Sequence, residues 1–173
     1  MMRILQADTP SKLDTVRALF LEYADSLGFS LCFQNFQKEL DELPGQYARP
    51  SGLLMLAECD DEPAGCVALR KIGDAICEMK RLYVRPAFRG KGIGRLLVEL
   101  LISEAIALGY SKMRLDTVAP RMRTAVALYR ELGFYEIEPY TSNPVAGATF
   151  MELNLDLLHF DHLYSEERKQ DLA

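Results

Sequence analysis

The residues with the clearest chemical meaning form a short basic, glycine-containing segment, Arg89-Gly90-Lys91-Gly92-Ile93-Gly94-Arg95. It stands between an apolar, strand-like run that ends at Val84 and a long amphipathic helix pattern. The first N–H groups of a helix have no acceptor within the helix, and they lie at the positive end of its dipole. Glycines let an anion approach such a backbone without interference from Cβ atoms. The segment therefore predicts a site for an anion, most simply a phosphate or diphosphate.

The distribution of charge along the chain favours a polyanionic ligand at this segment. The 173 residues include 20 Lys and Arg against 25 Asp and Glu, a formal net charge of −5. Residues 70–95 nevertheless contain eight basic and two acidic residues, a local charge of +6, which leaves −11 for the rest. A net acidic chain argues against general nucleic-acid binding. A basic island within it indicates one compact anionic partner.

Two other nucleotide-binding motifs do not fit the glycine segment. A P-loop needs GxxxxGK followed by Ser or Thr, which the glycines at 90, 92 and 94 do not supply. A Rossmann GxGxxG motif that began at Gly92 would need its third glycine where Leu97 stands. From the residues alone, a structural turn with a charged rim remains the alternative to an anion site.

The periodicity around this segment predicts the elements that hold it. Strands and helices are expected in the order β-α-α-β-β-β-α-β-α-β-β, which is typical of one α/β domain with a mixed sheet. The expected strands are 3–7, 53–59, 65–72, 75–84, 112–118, 134–140 and 148–155. The expected helices are 10–28, 33–43, 93–109 and 125–133, with a turn over 60–64 and a loop over 45–52. The domain is expected to cover 1–157, followed by a fraying tail over 158–173.

Neither a metal cluster nor an export signal is visible in the sequence. The four cysteines form no CxxC pair, and the two histidines, His159 and His162, stand near the C-terminus, so no metal is expected. The N-terminus lacks the apolar core of a signal peptide, and no run of about 18 apolar residues is present to span a bilayer. We therefore expect a reduced, cytoplasmic protein without a membrane partner.

The glycine segment resembles the acyl-CoA-binding motif Arg/Gln-x-x-Gly-x-Gly/Ala of the GNAT superfamily of N-acetyltransferases. Glu78, on the strand before it, and Ala125-x-x-Leu128-Tyr129-x-x-x-Gly133-Phe134 resemble two further features of that family. The order of elements is similar over nearly the whole chain. The resemblance implies an α/β fold with a central, mixed and mostly antiparallel sheet flanked by helices. That sheet would splay between the strand ending at Val84 and the strand 112–118, with acetyl-CoA in the gap.

The resemblance also implies which residues bind the coenzyme. Backbone groups of Leu82 and Val84 would pair with the pantetheine amides, and a backbone N–H near Leu82 or Tyr83 would stabilise the oxyanion. The diphosphate would be held by the segment that comprises Arg89, Gly90, Lys91, Gly92, Ile93, Gly94 and Arg95. Many members of the family carry Asn seven residues before the tyrosine, where this chain has Met122. One polar contact to the coenzyme is therefore in doubt, and Arg121 or Arg123 would have to replace it.

Two residues are candidates for the chemical step by the same resemblance. Glu78 would take the proton of the amine, because an aliphatic amine is almost wholly protonated at pH 7. The alternative is an ordinary strand glutamate paired with Lys80 or Arg70. Tyr129 would contact the coenzyme and protonate the departing thiolate. The alternative is a buried core tyrosine whose hydroxyl merely finds a partner.

The acceptor pocket is expected outside the motif, between residues 28–36 and the loop around residue 140. The candidate substrate contacts are Phe33, Arg81, Tyr140 and Asn143. Basic side chains at positions 70, 80 and 81 would suit an acceptor that carries a carboxylate, although charged runs usually face solvent.

The expected activity is acetyl-CoA-dependent transfer of an acetyl group to a primary amine, by direct attack of the amine on the thioester. The acceptor is expected to be a small molecule or an amino-acid derivative. The alternatives are a non-catalytic acyl-CoA-binding regulatory module and a phosphate-binding protein without coenzyme. Exposed sheet edges make a homodimer reasonable.

Overall fold

Seven strands form one sheet in the computed structural model, which describes residues 1–158. They are β1 (Met2–Gln6), β2 (Leu53–Cys59), β3 (Glu62–Gly73), β4 (Ile76–Val84), β5 (Lys112–Val118), β6 (Tyr135–Ile137) and β7 (Ala148–Asn154). Their order across the sheet is β1-β2-β3-β4-β5-β7-β6. The β4–β5 pair is parallel, and the other five neighbouring pairs in this sheet are antiparallel. The prediction of a mixed, mostly antiparallel sheet is confirmed.

Helices cover both faces of the sheet. They are α1 (Pro10–Ser26), α2 (Phe36–Glu42), α3 (Ile93–Ala107) and α4 (Arg123–Glu131). Apolar residues of α1 and α2 pack with Leu54 and Leu56 of β2, whereas α3 and α4 pack with Leu53 and Met55 on the other face. Since both faces are buried, β2 reads as a continuous apolar run rather than an alternating one. The elements follow one another in the predicted order.

The sheet opens between β4 and β5. The two strands pair only over Ile76–Glu78 and Lys112–Arg114, while β5 continues along β7 as far as Val118. A bulge bends β4 just beyond this point, because Cys66 pairs with Tyr83 but Ala68 pairs with Lys80. Arg81, with a φ of 59°, and the next residue thus face one residue of β3. The splay that the family resemblance implies is present.

Local structure corrects two expected elements in the first half of the chain. The predicted turn over 60–64 is wrong, because Cys59 pairs with Glu62 and leaves a two-residue connection at Asp60 and Asp61. Both aspartates have positive φ, at 51° and 65°, which suits the tight turns of twisted hairpins. The predicted helix over 33–43 is interrupted by Asn35 in the left-handed conformation, so α2 starts only at Phe36.

Two further expectations concern the C-terminal part. The predicted strand over 134–140 is much shorter, since only Tyr135–Ile137 pairs with β7. The histidines and the expected tail beyond 158 lie outside the described residues.

Within residues 1–158, no helix combines the length and the apolar character needed to cross a membrane. The same residues contain no group of three or more His, Cys, Asp or Glu side chains placed to hold a metal ion.

Candidate active site

A cleft of about 740 Å³ opens where β4 and β5 separate. Its wall includes residues 79–84 of β4, residues 115–118 of β5 and the start of α4. The glycine segment and the chain around Phe33 and Asn143 also line it. The splay therefore brings the predicted anion site and part of the predicted acceptor pocket to one cavity.

The backbone of the glycine segment is open toward an incoming group. Gly90 and Gly92 have φ values of 76° and 77°, a left-handed conformation that disfavours side chains. A Cβ atom at either position would meet nothing within 4 Å. Gly92 caps α3 without a side-chain hydrogen bond to the first turn of the helix. The first N–H groups of α3 are thus available to an anion.

The three cations of the segment are not equivalent. The exposed Arg89 lines the cleft, and its Nε donates to the carbonyl of Val84 at 3.0 Å. Arg95 also lines the cleft, but it forms ion pairs with Glu99 and Glu131. Lys91 lies outside the cleft wall, with its ammonium 5.2 Å from the Phe88 ring. Arg89 is therefore the cation best placed to meet a bound anion.

Tyr129 combines a buried ring with a hydroxyl that faces the cleft. Its ring packs against Phe134 at 5.7 Å between centroids, as expected for a core tyrosine. The residue also lines the cleft, and within residues 1–158 its hydroxyl makes no side-chain hydrogen bond although it is not sealed inside the core. Burial raises the pKa of Tyr129 well above the usual value of a phenol. The phenol therefore keeps its proton at neutral pH and is available as a donor.

Glu78 lies behind the cleft wall. Its carboxylate is buried, with 1 % of its surface exposed, and it does not line the cleft. Oε1 accepts from Arg70 Nε at 2.8 Å and lies 3.7 Å from Lys80 Nζ, whereas Oε2 accepts from the Tyr140 hydroxyl at 2.6 Å. Burial and the neighbouring Glu78 carboxylate raise the pKa of Tyr140. Glu78 thus has the pairing of a structural glutamate, and it also accepts a hydrogen bond from a predicted substrate contact.

A cluster of four polar side chains lines the cleft in front of Glu78. We call Gln34, Lys80, Asp116 and Asn143 the acceptor cluster. Lys80 Nζ donates to Gln34 Oε1 at 3.1 Å and lies 3.9 Å from Asp116 Oδ1. Asp116 Oδ2 accepts from Asn143 Nδ2 at 2.9 Å and from Gln34 Nε2 at 3.3 Å. Burial lowers the pKa of Lys80, although the two carboxylates oppose this effect.

The sequence analysis did not name Asp116, and it named Gln34 only as part of the expected pocket segment 28–36. A signal for Asp116 was present, because Met113 and Leu115 alternate with Arg114 and Asp116 along β5. β5 pairs with β4 as far as Arg114, and Asp116 is the next residue on the same face of β5. Gln34 offered no comparable signal, because a short 3-10 turn over Cys32–Gln34 places it.

Arg81 lies in the cleft wall, but its guanidinium is directed into α2. Its Nε and Nη2 donate to the Glu39 carboxylate at 2.8 and 3.1 Å, and Nη1 donates to Gln34 Oε1 at 2.8 Å. The Phe36 ring lies 5.2 Å from the guanidinium carbon. Strand alternation would separate Lys80 from Arg81, whereas the bulge turns both toward Gln34. Arg81 thus positions Gln34 instead of presenting a free cation.

The remaining candidates divide between the cleft and its surroundings. Phe33 and Asn143 line the cleft, as do the coenzyme candidates Leu82, Tyr83, Val84, Gly90, Gly92, Ile93 and Gly94. Tyr140 does not line it. At the start of α4, Met122 Sδ accepts from Thr117 Oγ1 at 3.1 Å. Arg121 and Arg123 both line the cleft, and Arg121 also donates to the carbonyl of Leu27 at 3.1 Å.

Comparison with known proteins places this geometry among acetyltransferases. The model of the acetyltransferase (GNAT) family matches residues 15–134. An uncharacterised N-acetyltransferase of Schizosaccharomyces pombe is 41% identical over 148 residues, which are 84% of this chain and 90% of that protein.

Two solved structures share the fold. A GNAT-family acetyltransferase from Staphylococcus aureus superposes with a TM-score of 0.73 at 19% identity, covering 90% of this chain and 99% of that one. The yncA protein of Salmonella typhimurium, solved with its cofactor acetyl-CoA, has a TM-score of 0.63 at 21% identity. That match covers 89% of this chain and 94% of yncA.

Proposed function

The chain belongs to the GNAT family of acetyltransferases, and on that basis we propose that it transfers the acetyl group of acetyl-CoA to a primary amine. The acceptor is a small molecule or an amino-acid derivative. The observation that carries this proposal is the splayed cleft. It joins an open, glycine-lined helix start to the Tyr129 hydroxyl and the acceptor cluster.

The residues of the cleft fit the chemistry of acetyl-CoA. In this proposal the diphosphate binds the N–H groups at the start of α3, and Arg89 supplies a positive charge. Beyond Glu78, β4 has no strand beside it on the β5 side within residues 1–158. The backbone of Leu82 and Val84 is therefore free to pair with the pantetheine amides, as a strand pairs with a sheet edge.

The chemical step requires a proton for the sulfur and a donor for the developing oxyanion. We assign the first role to Tyr129, whose raised pKa keeps the phenol protonated until the thiolate leaves. A backbone N–H at the β4 bulge, from Leu82 or Tyr83, stabilises the charge on the thioester oxygen. These donors act only if the acetyl group lies between β4 and α4.

The acceptor amine must lose a proton before it attacks. Glu78 and Asp116 both lie within 4 Å of Lys80, so this corner of the site has two carboxylates. Glu78 is buried and does not line the cleft, so its contact with the cleft wall is through Lys80. In this proposal Glu78 supports the removal of the proton through that contact.

The chain segments around Asp116 favour a small acceptor. Gln34 precedes α2 and Asn143 follows β6, yet both donate to the same carboxylate. These bonds hold the two segments together beside the acceptor cluster. Such an arrangement supports a compact acceptor over an extended polypeptide tail.

Thiol release from acetyl-CoA with a panel of amines, with and without carboxylates, tests this function. We expect acetyl-CoA to raise the melting temperature and one or more amines to accelerate release. Binding without any amine-dependent release would favour the regulatory alternative. The absence of a thermal shift at saturating acetyl-CoA would contradict coenzyme binding itself.

A further inference from the structure

Among residues 1–158, two acidic side chains line the cleft, and only Asp116 belongs to the acceptor cluster. The other, Glu131, pairs with Arg95 beside the glycine segment. Building on the proposed function, we propose that Asp116, and not Glu78, binds the ammonium group of the acceptor and takes its proton.

The contacts of Asp116 suit this role. Its Oδ2 accepts hydrogen bonds from two neutral amides, those of Gln34 and Asn143. An ammonium carries a full positive charge opposite the carboxylate, which a neutral amide does not, and this adds a direct Coulomb attraction. An acceptor ammonium therefore competes well with either amide for the carboxylate. Asp116 lies on β5 two residues beyond Arg114, the last residue paired with β4, so it stands where the two strands part.

Other titratable groups that face Asp116 come from three elements. Lys80 lies opposite on β4, Tyr23 comes from α1 and Tyr140 from the loop after β6. Burial raises the pKa of both tyrosines, so they are neutral at the pH of the reaction. The Lys80 ammonium is shared among Gln34, Glu78 and Asp116. Lys80 therefore does not have Asp116 as its sole partner.

Glu78 has different surroundings. Arg70 forms an ion pair with its Oε1, and the Tyr140 hydroxyl binds its Oε2. Because this carboxylate is buried and does not line the cleft, an amine in the cleft meets Lys80 instead. Glu78 is accordingly a positioning residue, which fixes Lys80 and the loop that carries Tyr140.

The protons of the reaction balance with these assignments. The ammonium first gives one proton to Asp116, which later releases it to solvent. The neutral nitrogen then attacks the carbonyl carbon of the thioester, and the C–S bond breaks as the carbonyl reforms. The thiolate takes the phenol proton of Tyr129. The second proton lost by the nitrogen restores that phenol.

The test compares Asp116→Asn with Glu78→Gln, by measuring kcat/KM between pH 6 and 9 (roughly the range in which amine ionisation limits the rate). We use the best amine from the panel. We expect Asp116→Asn to lower kcat/KM at pH 7 by about 10²–10⁴-fold, the usual contribution of a general base. The loss should shrink as the pH rises, because more of the amine is then neutral without help. In Glu78→Gln we expect kcat/KM to fall by a factor that does not change with pH.

Two further variants separate chemistry from structure. Asn143→Ala removes one partner of Asp116 but keeps the carboxylate, so we expect a changed KM with the wild-type shape of the pH profile. Asp116→Glu keeps a carboxylate, and its profile should also retain the wild-type shape at a lower kcat.

The proposal is overturned if Asp116→Asn keeps the wild-type pH profile, or if Glu78→Gln shows the pH-dependent loss instead. Should Asp116→Asn fail to fold, a profile of Asp116→Glu that rises steadily with pH would contradict the proposal equally. Failure of the wild type to release thiol with any amine would refute the proposed function rather than this assignment.

Discussion

At the scale of single residues, the site depends on groups that are buried yet face the cleft. Tyr129 packs in the core, and its hydroxyl makes no side-chain hydrogen bond among the described residues. Arg81 is equally buried, but its guanidinium donates hydrogen bonds to Glu39 and Gln34. In the proposed function the two side chains therefore have opposite roles: Tyr129 offers a proton to the coenzyme, and Arg81 holds Glu39 and Gln34 in place.

Replacement of Tyr129 by Phe should impair the chemical step and leave coenzyme binding intact. The ring still packs, but the thiolate loses its proton donor, so we expect kcat to fall by about 10²-fold or more. Rapid-mixing measurements of thiol release check this, beside acetyl-CoA titration. Tyr110→Phe is the matched control, because the Tyr110 hydroxyl donates to the Ser51 carbonyl and the residue lies outside the cleft wall. Equal kcat losses in both variants would contradict the role of Tyr129.

Replacement of Arg81 by Ala should reduce stability. It leaves the Glu39 carboxylate, 14% exposed, without its bidentate partner, and breaking a buried pair costs about 3–5 kcal/mol. Urea unfolding measures the loss, and Arg81→Lys should lose less because the charge remains. A change of unfolding free energy below about 1 kcal/mol, with a raised KM for the amine, would instead support direct acceptor contact by Arg81.

At the scale of elements, the start of α3 and the bulge of β4 build the site. The glycine segment is a local feature, so its sequence was sufficient to predict an anion site. The acceptor cluster was predicted only in part: Asn143, position 80 and the segment that holds Gln34 were expected at the acceptor, but Asp116 was not. The four residues come from four separate segments, so the sequence does not show that they meet. The bulge at Arg81 decides which side chains meet, and nothing in the alternation of β4 marks it. The break at Asn35 also depends on one backbone conformation rather than on periodicity.

Gly92→Ala tests the start of α3, with Gly109→Ala as its matched control. Both glycines have positive φ, 77° and 87°, and both face open space within 4 Å. Each substitution should therefore cost about 1–2 kcal/mol of stability. Only Gly92→Ala should also weaken acetyl-CoA binding, by roughly tenfold or more, because its methyl group crowds the anion site. Calorimetric titration measures this, and equal affinities of the two variants would contradict an anion site at this turn.

At the scale of the whole molecule, the basic island is largely neutralised by its surroundings. Of the eight basic residues within 70–95, six form ion pairs: Arg70, Lys71, Lys80, Arg81, Arg85 and Arg95. Arg89 and Lys91 have no such partner within residues 1–158. The positive charge could be located from the sequence. The sequence could not show that Glu22 and Glu39, which are distant along the chain, form ion pairs with Arg85 and Arg81.

The charge that remains should give acetyl-CoA binding a modest salt dependence that is centred on Arg89. We expect Arg89→Gln to weaken binding by several-fold to tenfold and to flatten the dependence on salt, since one charged contact to the anion is lost. Lys71→Gln is the control, because Lys71 is an exposed cation of the same island that lies outside the cleft wall. Indistinguishable affinities and salt slopes for the two variants would show that charge at Arg89 has no part in binding.

The central claim is that the cleft transfers an acetyl group from acetyl-CoA to a small amine. The most direct test is mass spectrometry of the acceptor, combined with measurement of the thiol released in the same reaction. We expect acetylated amine and free thiol to appear in equal amounts, and we expect the rates at which both form to fall together in Tyr129→Phe. Release of thiol with the acetyl group appearing as acetate, or acetyl-CoA that binds without acetylating any amine of the panel, would contradict it.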